Sequence, residues 1–386
     1  AKLRATLTDE RQALGLAAMY AELGAERAGM SLSGRLAWTY EPPPEGEPVR
    51  IVQFEKGLPR ALADRVLILG RDGFLECISL EPKELLWRTK LQMPGGFDEG
   101  NDAGTRSQSI TRYGVADGQT VILNGPDGIF AVGALTGRLL WARPFDRAVM
   151  DLAGSAARDR VMAAGNGLVA AAPRDGYLTV MRVADGSTVW ERDLRGESLA
   201  RVWMEGGAVV FADADMKRAH ILGRSDGRLI SRILLRQPDP EHERVTLVLS
   251  DGMLYGPDRL AGSESVAAFD VSNGERKWRV EVGKPIVSLF EPKSGYLGVG
   301  LLGGDAKILN ERSGEVVLER SDPSVRAVTA GVMWAGTLIL RSTALRGPKQ
   351  SIELAAFDIA TGTEEWRRKD VTALSSGEEG LEVISG

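Results

Sequence analysis

Six of the eight tryptophans in this chain fall in one register: Trp38, Trp87, Trp141, Trp190, Trp278 and Trp366 each stand four residues after a turn position, which is glycine in all but one of the six. The same frame without the indole recurs at Gly227-Arg-Leu-Ile-Ser231 and Gly314-Glu-Val-Val-Leu318. The eight last positions then step by 49, 54, 49, 41, 47, 40 and 48 residues. A self-similar period of about 47 residues restricts the chain to architectures in which one supersecondary unit is stacked many times and buries its faces against its neighbours. Only Lys83 breaks the run of turn glycines at positions 34, 137, 186, 227, 274, 314 and 362.

Within one period the pattern is short β-rich runs parted by two-residue turn signals such as Asp72-Gly73, Gly206-Gly207, Asp226-Gly227 and Asp251-Gly252. The third unit reads as strands over 160–164, 168–172, 177–183 and 187–194, joined by Asn166-Gly167, Arg174-Asp175-Gly176 and Asp185-Gly186. Four antiparallel strands repeated at this spacing make the blade of a β-propeller, whose closure protects the strand edges. Seven complete units run from about residue 48 to 371, and an eighth frame, Gly34 to Trp38, precedes them. The expected fold is all-β, an eight-bladed propeller over residues 32–386. Leu36–Tyr40 would share the last blade with first and second strands at 372–375 and 381–385; seven blades are the alternative.

Residues 1–31 form a separate segment. Leu16, Met19, Tyr20 and Leu23 make one apolar stripe, Asp9 and Glu10 suit a helix N-terminus, and Gly24 a stop, so one helix is expected over 9–29. One amphipathic helix cannot bury its face alone. It either packs on the β domain or ends a helical, tetratricopeptide-like region. The start at Ala1, with neither methionine nor signal peptide, reads as part of a longer protein.

The fullest copies of the frame are Ala268-Phe-Asp270-Val-Ser-Asn-Gly274-Glu-Arg-Lys-Trp278 and Ala356-Phe-Asp358-Ile-Ala-Thr-Gly362-Thr-Glu-Glu-Trp366. They resemble the tryptophan-docking repeat of the PQQ-like propellers, which include the quinoprotein alcohol dehydrogenases and BamB-like assembly proteins. The resemblance implies the propeller type and is nearly silent about function. Physically, the glycine permits a turn with positive φ, and the tryptophan is a flat ring able to cover a neighbouring blade while its N–H finds a carbonyl. Trp38, Trp87, Trp141, Trp190, Trp278 and Trp366, with Gly137, Gly186, Gly274 and Gly362, are thus expected to be structural. Blades four and six, which lack the indole, are expected to dock more loosely.

Chemistry finds little support. A quinoprotein of the resembling kind would need vicinal cysteines, a stacking tryptophan and a calcium site; Cys77 is the sole cysteine and takes a slot filled by alanine in other blades. Trp203 and Trp334 stand outside the docking register and are expected to pack around the central channel. The acidic stretch Asp98-Glu99-Gly-Asn101-Asp102 lacks the order of an EF-hand loop, and His220 and His242 are too isolated for a zinc site. No phosphate-binding loop occurs. No catalytic, cofactor-binding or metal-binding residue is assigned. A net charge of −5 without a basic cluster argues against nucleic acid, and no apolar run reaches the ~20 residues of a membrane-spanning helix.

Function is therefore sought in the long connections, which fall on one edge of the blades: 92–108, 144–157, 236–244, 256–264 and 343–350. Loops several times longer than a hairpin turn suggest recognition. Phe97, Phe145, Arg147, Arg259, Leu260 and Arg346 are the candidate contacts. The expectation is a non-enzymatic scaffold for a protein partner, with a ligand-sensing or quinone-binding propeller as alternative. The resemblance tilts it toward an extracytoplasmic location.

Overall fold

The computed structural model describes residues 50–54, 62, 65–69, 74–79, 84–91, 113–124, 128–144, 162–174, 177–194, 199–213, 217–235, 247–258, 264–293, 295–334, 337–344, 352–377 and 380–385. Among them there is no α-helix, and the strands form seven sheets. The expected helix over 9–29, Trp38 and the strand Leu36–Tyr40 lie outside the described residues.

The chain divides into two compact units: Ala1–Met204 with Ser225–Gly227 and Ser375–Glu382, and Glu205–Arg224 with Arg228–Leu374 and Val383–Gly386. In the first unit, one sheet orders Arg50–Ile51, Arg65–Leu69, Phe74–Ser79 and Leu85–Lys90. The next orders Gln53–Phe54, Tyr113–Asp117, Thr120–Asn124, Gly128–Gly133 and Leu139–Pro144, and the third Met162–Gly165, Leu168–Arg174, Tyr177–Arg182 and Thr188–Asp193. The fourth sheet, whose last three strands belong to the second unit, orders Leu199–Glu205, Ala208–Asp213, Arg218–Gly223 and Leu229–Leu234. In the second unit the fifth sheet orders Val248–Ser250, Met253–Pro257, Ser265–Asp270 and Arg276–Glu281, and the sixth Ile286–Lys293, Tyr296–Leu301, Asp305–Asn310 and Val316–Ser321. The seventh orders Val325–Trp334, Thr337–Ala344, Ile352–Asp358, Glu364–Gly377 and Gly380–Ser385.

Sequential antiparallel strands make each sheet propeller-like, with two departures from the expected plan. Gln53–Phe54 pairs in parallel with Tyr113–Gly114, so the stretch that opens the first sheet also edges the second. At the other end, residues 372–375 continue the strand Glu364–Gly377 without a break, and Gly380–Ser385 is the fifth strand of the seventh sheet. The first glycine after Gly362 is Gly377, so no earlier turn signal interrupts that strand.

The cores lie between successive sheets. In Gly128–Gly133, Phe130 and Val132 belong to the cluster shared with the first sheet, while Ile129 and Ala131 belong to that shared with the third. Alternate residues of a strand point to opposite faces, so a strand covered on both sides is buried throughout rather than at every second position. Cys77, 0% exposed, sits in the first of these clusters as a small core residue.

The docking frame explains how the sheets join. In the second sheet Gly133 N–H donates to Arg138 O (2.9 Å) and Gly137 N–H to Gly133 O (2.8 Å), closing a turn in which Gly137 has φ 67°. Trp87 of the preceding sheet lies on that glycine: a Cβ there would stand 2.5 Å from the indole. The Trp87 indole N–H donates to Ala134 O (3.1 Å). The same overlap recurs between Trp141 and Gly186, Trp190 and Gly227, and Trp278 and Gly314. Trp141 donates to Val183 O (2.7 Å) and Trp278 to Glu311 O (2.9 Å). Trp366 stands opposite Ala356 at the same place in the seventh sheet.

In every sheet the register slips by one residue just before the docking position; Cys77 pairs with Trp87 and Ile78 with Leu85, leaving Leu86 as the extra residue of a β-bulge. Equivalent bulges leave Leu140, Val189, Ile230, Lys277, Val317 and Glu365 unopposed. The bulge turns that residue outward while the next faces the neighbouring sheet.

The two joints without an indole each keep a side chain against the turn glycine. Ser231 meets Gly274 directly, its side chain 2.2 Å from where a glycine Cβ would be, and Leu318 covers Gly362 at 3.0 Å. A small side chain lets the backbones approach until contact is restored.

Candidate interaction surface

Second-to-third strand connections and sheet-to-sheet connections leave the same edge of an antiparallel four-stranded sheet. The connections at 92–112, 145–161, 236–246, 259–263 and 345–351 leave from this edge, whereas residues 52–64, which join the first two strands of the first sheet, leave from the other. Phe97, Phe145, Arg147, Arg259, Leu260 and Arg346 lie outside the described residues, as does His242; the described structure shows the footings from which their loops rise. In the first unit these are Leu91 and Tyr113 for one loop and Pro144 and Met162 for the other.

In the second unit one footing is held by a carboxylate withdrawn from water, and the fourth and sixth sheets carry buried carboxylates on the same edge at short connections. Asp258, 5% exposed, ends the strand before Arg259 and Leu260. Its carboxylate pairs with Arg276 (3.0 Å) and Arg279 (3.2 Å), and its backbone bridges Leu235, the last described residue before the 236–246 connection. Two loops thus rise side by side from one clamped point. Asp213 accepts from the backbone N–H of Lys217 (2.7 Å) and Arg218 (3.1 Å) at the matching place in the fourth sheet. Asp305 pairs with Lys284 (2.6 Å) and accepts from the Ser321 hydroxyl (2.7 Å) in the sixth.

Arg367 gathers the seventh sheet, meeting Asp322 (2.6 Å), Glu353 (3.4 Å) and Glu364 (2.8 Å). Burial would raise the Asp322 pKa, but hydrogen bonds from Ser324 and Arg367 outweigh it and hold the carboxyl below its usual range. The Arg367 hydrogen bond likewise lowers Glu364. On the opposite edge Asp185, Asp270 and Asp358 are lowered by the hydroxyls of Ser187, Ser272 and Thr361 in their own turns. Those groups shape turns.

The candidates for chemistry are dispersed among packed strands. Cys77 is buried between sheets, and His220 is stacked on Phe211 at 4.5 Å and 17°. Trp203 is 4% exposed with the Arg201 guanidinium 5.0 Å above its ring, so its faces are occupied by protein. Tyr255 is fully buried and donates to Glu311 (3.0 Å); burial, then the nearby carboxylates, pushes its phenol far above the usual value. Among the described residues no three His, Cys, Asp or Glu side chains are grouped to hold a metal ion, and no helix is long and apolar enough to cross a membrane.

A family model described as outer membrane protein assembly factor BamB matches residues 27–202 and 174–378, two overlapping stretches that take in all seven sheets but the last strand, Gly380–Ser385. The chain belongs to this family. BamB of Burkholderia pseudomallei is 26% identical over 231 residues, 58% of this chain and 56% of that protein, so the match spans little more than half of the relative. Among solved structures, BamB from Moraxella catarrhalis has TM-score 0.51 at 17% identity, covering 81% of this chain and 87% of that one. A computationally designed protein, Ika8, has TM-score 0.55 at 16% identity, covering 89% and 98%. At such identities the structural likeness shows the fold alone, a BamB-like repeat propeller. The Asp258 footing escaped the sequence reading because its cations, Arg276 and Arg279, come from another strand; its one local signal is an acidic residue just after the loop-side end of a largely apolar strand.

Proposed function

We propose that the chain is a non-enzymatic propeller scaffold that binds a protein partner through its long-loop edge, in an extracytoplasmic setting and in outer-membrane protein assembly. The observation that carries this reading is the clamped footing at Asp258 and Leu235, within a chain of the BamB family. A rigid base under long loops is how a repeat scaffold presents a recognition surface while its joints stay conserved in form. The proposed organisation is residues 32–386 as one propeller preceded by a separate N-terminal segment, with the docking tryptophans purely structural.

The test is binding of the purified chain to outer-membrane assembly components of its own organism. Arg259, Leu260, Phe97, Phe145, Arg147 and Arg346 are exchanged for alanine, and the fold is followed by fluorescence. Loss of binding with an unchanged melting curve is expected; binding that survives all six exchanges would refute the proposed surface. A quinone absorbance band, or a rise in Tm on adding PQQ and calcium, would refute the cofactor-free reading.

A further inference from the structure

The strand that carries each docking residue can make a second contact, two residues further on. The Thr89 hydroxyl donates to Gly137 O, and guanidinium groups at the same place donate from Arg143 to Gly186 O (3.2 Å), from Arg192 to Gly227 O (2.7 Å) and from Arg320 to Gly362 O (3.0 Å). In each case the acceptor belongs to the turn glycine that the docking residue covers. Between the sixth and seventh sheets, where Leu318 brings no N–H, Arg320 still binds the turn and lies 4.5 Å over the Phe357 ring. Between the fifth and sixth, where Val280 takes the second place, Trp278 keeps its bond to Glu311 O.

The joint between the fourth and fifth sheets, within the second unit, has neither clasp: Ser231 stands in place of the indole and Ile233 in place of the second donor. It is tied instead at its two ends. At the turn edge Gly252 N–H donates to the Glu205 carboxylate (3.0 Å), and at the loop edge the backbone of Leu235 bridges that of Asp258. The loop-edge tie depends on a side chain, because the Asp258 carboxylate, held by Arg276 and Arg279, fixes the residue that Leu235 meets. In stacked repeats each interface contributes its own stability, so the one with fewest ties opens first. We propose that Asp258 is the latch of this joint: with its carboxylate on Arg276 and Arg279 the fourth and fifth sheets stay closed, and without it they part and spread the loops that rise from Leu235 and Asp258. This goes beyond the scaffold reading, and its test involves no partner, so the two fail separately.

Thiol labelling of the full chain tests it. Ile233, 4% exposed, shares the face of Ser231 and lies apart from the latch, so Ile233→Cys reports opening of this joint. Ile308, 1% exposed in the core between the sixth and seventh sheets, gives the comparison Ile308→Cys, and native Cys77, buried in the first unit, reports wider unfolding. Asp258→Asn should raise the labelling rate of Ile233→Cys at least about tenfold and leave Cys77 unchanged. Asp305→Asn removes a buried carboxylate at the same edge of the sixth sheet, where Arg320 holds the joint, and should change Ile308→Cys by less than about threefold. An unchanged rate at Ile233→Cys, an equal rise in the two carboxylate variants, or a rise matched at Cys77 would overturn the proposal. Should Ile233→Cys fail to fold, the Gly252 amide, bound across the joint to Glu205, gives the reading without a new thiol: its hydrogen exchange should quicken at least about tenfold in Asp258→Asn, and an unchanged rate overturns the latch.

Discussion

Gly137→Ala isolates the docking joint because a matched control exists in the same unit. Gly137 has φ 67° and Gly167 has φ 76°, so alanine pays the left-handed penalty of about 1–2 kcal/mol at both. Around Gly167 a Cβ meets nothing within 4 Å; at Gly137 it would stand 2.5 Å from the Trp87 ring and 2.8 Å from Thr89 Oγ1. The indole must withdraw, which adds overpacking strain of about 1–3 kcal/mol and forfeits its hydrogen bond to Ala134, worth about 1 kcal/mol. Gly137→Ala should therefore cost about 3–6 kcal/mol and Gly167→Ala no more than about 2 kcal/mol. Urea unfolding followed by fluorescence gives the totals. Hydrogen exchange over Leu85–Lys90 gives the local value, needed because a chain of stacked repeats need not unfold in one step. In a Trp87→Ala background the ring is gone and Thr89 Oγ1 is the near neighbour left, so Gly137→Ala should fall toward the Gly167→Ala cost, a coupling of about 2–4 kcal/mol. Equal costs for the two glycines, or additive effects of Trp87→Ala and Gly137→Ala, would refute the reasoning.

Ser231→Trp, which restores the frame of the other joints, should destabilise by at least about 2 kcal/mol in urea unfolding, because Gly274 already lies against the serine; Ser231→Ala should be nearly neutral. Asp258→Asn should cost about 1–2 kcal/mol, discounted for the partial exposure of Arg276 and Arg279, and should open tryptic cleavage within 236–246 and 259–263, read by mass spectrometry. Asp322 and Glu364 have folded pKa values below the ordinary carboxylate range, so their stabilisation is complete above that range and is lost as pH falls through it. Exchange protection over Ile352–Asp358 should drop between pH 5 and about 2.5, with a shallower slope in Arg367→Leu, and an unchanged slope would count against the pairing.

The units were legible because their signals are local: a glycine at a turn that needs positive φ, a tryptophan four residues later, apolar runs of strand length between. Those features depend on one or two neighbouring residues and survive in a single sequence. The bulge did not show itself, since it depends on how the third and fourth strands register, and no residue type is peculiar to it: leucine, valine, isoleucine, lysine and glutamate all occupy the extra position. The footing carboxylates were hidden for the same reason at longer range, Asp258 meeting Arg276 and Arg279 some 18 or more residues on. The six loop residues chosen for partner contact lie outside the described residues, so that choice rests on loop length and family membership.

The joints without tryptophan show why the repeat tolerates loss of its most regular residue. Between the sixth and seventh sheets, Leu318 gives less cover than an indole, yet the backbones come close enough for Gly303 N–H to donate to Arg326 O (2.7 Å) and for Leu302 to bridge Ala327. Gly300 and Gly331 make room for this: a Cβ at Gly300 would stand 2.3 Å from Val328 O, and one at Gly331 2.5 Å from the Phe290 ring. Between the fourth and fifth, Ser231 touches Gly274, and Gly252 N–H donates to the Glu205 carboxylate (3.0 Å). Each joint thus trades a large ring for direct backbone approach, which needs glycine on the receiving strand or turn. Side-chain size at the docking position and glycine content across the joint are coupled, so the cost of a substitution at one place depends on the residue at the other. That coupling lets single joints drift in sequence while the sheets keep their form and the loop edge is free to vary.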